Sequence, residues 1–339
     1  MNNYWKNKNV FITGINGFVG GNLAKKLLDL EANVIGLIRN KDENSLLFFE
    51  NINKKIILID GDITNKNLIS GIISEQKIDH VFHFAAQVEV GVAMENPYFT
   101  YETNTRGTYS LLDAIRSNKN KIISIVVAST DKSYGSYNKD EMPYKEYYPL
   151  RAKYPYDVSK ACADMISQSY ASEPFKLPIV ITRFANIYGP GQLNFSALIP
   201  DAIRSALGYT NFYPRGNGKQ IRDYIFIDDV IDVYLKISHG LATKPRMFSG
   251  QIFNAGTKKG YSVNEILKII YGLCGSKIKL KKINNLMRGK KTIGEIETQY
   301  MDFEKLNKFT AWQPRFNMNK GIKKTIIWYK NYLRKTNKK

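Results

Sequence analysis

A short apolar run, Asn9-Val10-Phe11-Ile12-Thr13, gives way at once to Gly14, Gly17 and Gly20, after which Leu23, Leu27, Leu28 and Leu30 recur at helical spacing. No other stretch restricts the fold so tightly. A strand that turns on glycines into a helix brings backbone N–H groups to the helix N-terminus. Glycines there let a pyrophosphate come close, and the helix dipole favours its charge. A plain strand-to-helix turn is the bland alternative, but strand, glycine turn and helix in this order point to dinucleotide binding.

The units that follow fit the same plan. Asn33–Ile38 reads as a second strand and ends in Arg39-Asn40. A carboxylate at that point takes the ribose 2′-hydroxyl of NAD, whereas an Arg accommodates the 2′-phosphate of NADP. Arg39 therefore leans the reading toward NADP, with Asp42 or Glu43 left open as the acid of an NAD site. The next strand-like run, Lys55–Ile59, leads into Asp60-Gly61-Asp62-Ile63, where Asp62 is either a partner for the adenine amino group or a turn former. His80–Phe84 ends at Ala85-Ala86-Gln87, small residues that let a cofactor lie against the sheet edge. Tyr98–Ile115 reads as one long helix enclosing Asn104 and Gly107; an interior Gly costs about 1 kcal/mol relative to Ala, so Gly107 implies close packing.

Ile122–Ala128 is the fifth strand, and it delivers Ser129-Thr130-Asp131-Lys132 at its carboxyl end, where open α/β sheets bind ligands. Tyr156 and Lys160 follow at the start of a helix opened by Pro155, four residues apart and so on one face. A Tyr four residues before a Lys also occurs at Tyr4 and Lys8, so context carries the weight. An ammonium and a positively charged nicotinamide nearby lower a phenol from about 10 toward working pH. Tyr156 then serves as general base toward a substrate hydroxyl, with Thr130 hydrogen-bonding the same group. The expected fold is α/β, a Rossmann-type doubly wound parallel sheet over residues 1–185. A smaller, interwoven C-terminal α/β substrate domain covers 186–339. It includes a strand at Ile252–Gly256, helices at Val263–Leu273 and Gly321–Leu333, and segments such as Tyr224–Ile227 that cross back.

These ordered motifs resemble the extended short-chain dehydrogenase/reductases of the nucleotide-sugar epimerase/dehydratase group, from about Val10 to Tyr329. Arg183-Phe-Ala-Asn186-Ile-Tyr-Gly189-Pro-Gly is similar to that group's segment after the sixth strand, and Leu198–Ile203 to the opening of its substrate domain. Arg222–Val230 is similar to its nucleotide-sugar segment. The resemblance implies that Gly14, Gly17, Phe18, Gly20, Arg39, Asp62, Ile63, Ala85, Ala86, Gln87, Asn104, Tyr156 and Lys160 hold NAD or NADP. It further implies that Gln87, Asn186, Arg215, Arg222 and Arg288 meet the sugar nucleotide. A salt bridge to Asp223, Asp228 or Asp229 is the other reading of Arg222. Homodimerisation through Tyr98–Ile115 and Tyr156–Tyr170 is also implied.

The reaction turns on Asp131 and Lys132. Removing the C4 hydrogen of the sugar acidifies C5, and loss of water then needs a base at C5 and an acid at the C6 hydroxyl. Dehydratases resembling the glucose-nucleotide type divide those roles between Asp and Glu, and simple 4-epimerases carry small or apolar residues there. Asp131 is in place as the acid, whereas Lys132 replaces Glu, as in CDP-glucose 4,6-dehydratases. Lys132 is the C5 base only if neutral; otherwise it pairs with Asp131, and Tyr156 or another carboxylate serves. The segments Tyr224–Asp229 and Gly189–Gly191 are closer to the generic epimerase pattern, so a 4-epimerase or uronate decarboxylase is the alternative.

Bulk properties narrow the remaining classes. The net charge of +20 is spread as Lys along the chain, densest at Lys277–Lys282, Lys290-Lys291 and Lys320–Lys339. A nucleic-acid binder focuses charge on one face with aromatics interleaved, so nucleic acid is not the expected partner, while a basic field still attracts an anionic nucleotide sugar. An RNA-binding or scaffold member of the fold would carry a broken catalytic set, and Thr130, Tyr156 and Lys160 are intact. Two cysteines and three scattered histidines argue against a disulfide framework or a metal cluster. Polar Met1–Lys8 and the lack of a spanning apolar run lead to the expectation of a cytoplasmic protein without a membrane segment.

Overall fold

The computed structural model describes residues 2–287 and 296–336. Its strands are β1 (Asn9–Thr13), β2 (Asn33–Ile38), β3 (Ile57–Asp60), β4 (His80–His83), β5 (Ser124–Ala128), β6 (Ile179–Phe184), β7 (Asn186–Tyr188), β8 (Ile221–Phe226), β9 (Ile252–Ala255), β10 (Gly260–Ser262) and β11 (Thr298–Gln299). Seven of them form one parallel sheet in the order β3-β2-β1-β4-β5-β6-β9. Strand order reverses between β1 and β4, which places the ligand crevice at their carboxyl ends. Central strands such as Ile179-Val-Ile-Thr-Arg-Phe184 are buried along their whole length, as helices on both faces demand. Two apolar cores flank the sheet, one around Phe11, Ile69, Val81 and Leu111, the other around Ile12, Phe82, Val126 and Tyr234.

β8 organises the smaller sheet. It pairs antiparallel with β10, and in parallel with β11 at its start and β7 at its end. Tyr224–Phe226 thus stays in the small sheet. The return to the large sheet is made instead by the helix Ile227–Thr243, which packs on β5 and β6, and by β9, which pairs with β6.

Strand starts differ from the sequence expectation at two places. Ile52–Lys55 forms a 3-10 turn, so β3 begins at Ile57, and Ile122-Ile123 precede β5. The helix expected over Tyr98–Ile115 is present as a continuous run Pro97–Arg116 with a π-helical turn, Glu102–Arg106, inside it. A π turn of this kind is frequent at functional sites. Among the described residues no helix is long and apolar enough to cross a membrane.

Candidate active site

The glycine turn is shaped as a cradle. Gly14 has φ of 71°, and a Cβ there would lie 2.7 Å from the Ala85 nitrogen. A Cβ on Gly20 would come within 2.4 Å of the Gly14 carbonyl oxygen. Gly17 caps the helix Phe18–Asp29 with extended backbone and no side-chain cap, so its leading N–H groups are left for an outside acceptor. A close backbone and uncapped donors fit the pyrophosphate of NAD(P). At the end of β2, Arg39 is exposed and lies 4.9 Å over the Phe99 ring. Asp62 accepts from the Thr64 backbone N–H at 2.8 Å and its hydroxyl at 2.7 Å, the turn-forming role. Ile63 packs where a Gly107 Cβ would stand, at 2.6 Å, which accounts for that glycine inside a helix.

A hydrogen-bond chain leads from this cradle to the helix Pro155–Ala171. Thr108 donates to the Asn104 carbonyl at 2.6 Å, so its oxygen accepts from His83 Nε2 at 2.9 Å. Nδ1 of the neutral ring then accepts from Thr13 at 2.8 Å, and the Thr13 oxygen faces the Phe84 and Ala85 N–H groups. Burial, aided by Lys160, holds the His83 pKa down to about 3. Asn104, in the π turn, accepts from the Gln87 N–H at 2.7 Å and donates to the Gln87 carbonyl and to Ser159 Oγ, each at 2.9 Å. A Ser between Val158 and Lys160 carries no motif of its own, so Ser159 becomes legible only through this contact.

The centre itself is built from the turn Asp131–Tyr134 after β5 and the helix Pro155–Ala171, which pack together. Thr130 donates to Asp131 Oδ1 at 3.1 Å, and both residues are buried. Lys132 Nζ lies 3.4 Å from Asp131 Oδ1 and 3.4 Å from Asn186 Oδ1. The ion pair is thus the second of the two arrangements open to Lys132. Lys160 donates to the Ala128 carbonyl at 2.6 Å, and burial lowers its pKa to about 8 against the pull of Asp164. The Tyr156 phenol is pushed up, by burial first and by Asp131 second, with the Thr130 side chain opposing. Among the protein's own groups the net direction is thus upward, opposite to the lowering expected with an ammonium and a nicotinamide beside the phenol.

A second carboxylate adjoins Tyr156 in the chain and couples electrostatically to Lys132 and Asp131. Asp157 is buried in the first turn of the helix Pro155–Ala171, and its pKa rises to about 6 through burial, with Lys132 lowering it and Asp131 raising it. It lies in the first helical turn, where an acid also suits the helix dipole, and no motif marks it in the sequence.

On the substrate side, Asn186 joins this centre through Lys132 and donates to the Asp223 carbonyl at 3.2 Å. Arg222 is half-buried and donates to the Ile221 carbonyl at 2.9 Å. The surface salt bridge weighed for it is not what it makes. Asp223 is taken by Thr257 and Met301, Asp228 by Lys324, and Asp229 by Arg315. Arg222 still acts electrostatically on Tyr144 and Tyr224, two groups that Asp131 also reaches. Arg215 is exposed and bonds the Ser196 carbonyl at 3.2 Å, apart from this cluster. Arg288 lies outside the described residues.

The chain is similar to known sugar-nucleotide enzymes. The family model described as GDP-mannose 4,6 dehydratase matches residues 11–325. The human dTDP-D-glucose 4,6-dehydratase is 31% identical over 329 residues, spanning 95% of this chain and 90% of its own. A trifunctional UDP-glucose 4,6-dehydratase/epimerase/reductase of Arabidopsis thaliana is 28% identical across 96% of this chain, but the chain spans only 47% of that relative's length. Among solved structures, the dTDP-glucose 4,6-dehydratase of Bacillus anthracis in complex with NAD aligns with a TM-score of 0.80 at 25% identity, covering 96% of this chain and 98% of its own.

Proposed function

The chain belongs to the GDP-mannose 4,6 dehydratase family, an NAD(P)-dependent group of sugar-nucleotide enzymes, and from that premise we propose that it removes water across C5 and C6 of a nucleotide-diphosphate hexose. The Asp131-Lys132 pair favours a CDP-glucose-like substrate. The observation that carries the reading is Asp131, a buried carboxylate beside Thr130 and within electrostatic reach of Tyr156, where a simple epimerase resembling this chain has a small or apolar residue.

A bound nicotinamide supplies the redox chemistry, taking up a hydrogen with its electron pair and returning it. Tyr156 accepts the C4 hydroxyl proton, and Thr130 orients that hydroxyl. Lys132 being engaged by Asp131, the C5 proton passes to Asp157, whose pKa of about 6 suits a base near neutrality. The Asp131–Lys132 pair holds the proton that leaves with the C6 hydroxyl as water. Asn186 and Arg222 are the diphosphate contacts, Arg222 as a charge-assisted donor. The division at residue 186 separates cofactor from substrate work, with β9 returning to the cofactor sheet. The protein acts as a homodimer through the helices at Pro97–Arg116 and Pro155–Ala171.

The test is incubation with CDP-, GDP-, UDP- and dTDP-glucose and GDP-mannose, with products read by mass spectrometry and NMR. A 4-keto-6-deoxy product, with solvent deuterium at C5, is expected. The epimerase-like segments Tyr224–Asp229 and Gly189–Gly191 support C4 epimerisation as the second reading; clean inversion at C4 without a keto product would establish it instead.

A further inference from the structure

A buried polar cluster joins the pieces of this centre without taking part in its chemistry. Arg183, in β6, donates from Nε and Nη2 to the two carboxylate oxygens of Asp164 at 2.8 and 3.0 Å. Both residues are almost wholly buried. Arg183 Nη1 donates to the Tyr134 hydroxyl at 2.9 Å, and that hydroxyl donates to Asn254 Oδ1 at 2.7 Å. Asn254, in β9, reaches the Tyr144 carbonyl through its side chain at 3.0 Å.

Two members sit on elements that carry reacting groups, and the other two flank the substrate side. Tyr134 closes the turn that begins at Asp131. Asp164 lies one helical turn beyond Lys160, on the helix of Tyr156. Arg183 lies three residues before Asn186, and Asn254 belongs to the strand that returns from the substrate side. A buried ion pair adds little net stability over well-packed apolar side chains, so stability alone does not account for it. What a bidentate guanidinium fork adds is orientation in a plane.

We propose that Arg183, Asp164 and Tyr134 form a positioning set. It fixes the turn bearing Thr130, Asp131 and Lys132 against the helix bearing Tyr156 and Lys160, so that C4 oxidation and loss of the C6 hydroxyl stay in step. The proposal rests on the dehydratase reading given above.

Tyr134→Phe is the discriminating variant, because it deletes one hydroxyl and leaves the ring stacked on Tyr144, 4.8 Å away. The full-length protein is assayed on whichever sugar nucleotide of the panel the unsubstituted enzyme turns over. Measured are kcat, KM, the fraction of turnovers released as undehydrated 4-keto hexose, and the thermal midpoint. The expectation is a kcat reduced about tenfold or more by misplacement, KM within about twofold, and a several-fold larger undehydrated fraction. Arg183→Lys, which keeps the charge but not the fork, should leak in the same way. Unchanged partitioning and kcat in Tyr134→Phe overturn the positioning set while the dehydratase reading stands. So does a kcat loss that only follows a fallen thermal midpoint. If the unsubstituted enzyme dehydrates nothing in the panel, the dehydratase reading fails, and the coupling of the two steps fails with it.

Discussion

Tyr156 and Asp157 are neighbours in sequence with opposite legibility. Tyr156 declares itself by its spacing from Lys160, and the structure adds what spacing cannot carry: a phenol that burial and Asp131 push up. Tyr156→Phe should cut turnover by about 10²–10⁴-fold, read as kcat on the preferred sugar nucleotide, with nucleotide binding kept. Asp157 shows itself only when the chain is folded, because its partners Lys132 and Asp131 lie across a long loop. Asp157→Asn should suppress deuterium uptake at C5 more than it suppresses C4 oxidation; equal losses in both would remove Asp157 from the base role. His83 offers a pH test. Its folded pKa of about 3 lies below the ordinary 6.5, so the stability it contributes is complete above pH about 6.5 and drains away as pH falls toward 3. His83→Asn should flatten the fall of the thermal midpoint between pH 7 and 4.

At the scale of elements, the glycine turn was readable because its chemistry is local: strand, turn and helix follow within about twenty residues. Gly14→Ala meets both a left-handed φ and the Ala85 backbone, so NAD(P) affinity by calorimetry should drop by about tenfold or more, a loss of at least ~1.4 kcal/mol. The helix over Tyr98–Ile115 was readable, but its π turn was not. Nothing in Glu102-Thr-Asn-Thr-Arg106 forbids an ordinary helix; the π turn serves to aim Asn104 at Gln87 and Ser159, partners distant in sequence. The start of β3 moved for a similar reason, since Lys54 and Lys55 are spent in a 3-10 turn before the strand pairs with β2.

For the whole molecule, the order of strands through β6 follows from the repeated strand–helix pattern, whereas the seventh partner of the sheet does not. Its place beside β6 comes with packing by the helix Glu304–Thr310, which is far along the chain from β6. Tyr98, Tyr109 and Met165, left exposed on the paired helices, make the dimer testable: sedimentation should give twice the chain mass, and Met165→Glu with Tyr98→Glu should halve it. The return of β9 also bears on how the molecule comes into being. A ribosome must have made some 255 residues before the cofactor-binding sheet can be finished, and until then β6, Ile179–Phe184, is a bare apolar margin open to unwanted pairing. A gene fragment stopping at residue 185 should therefore yield insoluble protein, and what looks like an independent half is, in its biosynthesis, a debtor to sequence not yet translated.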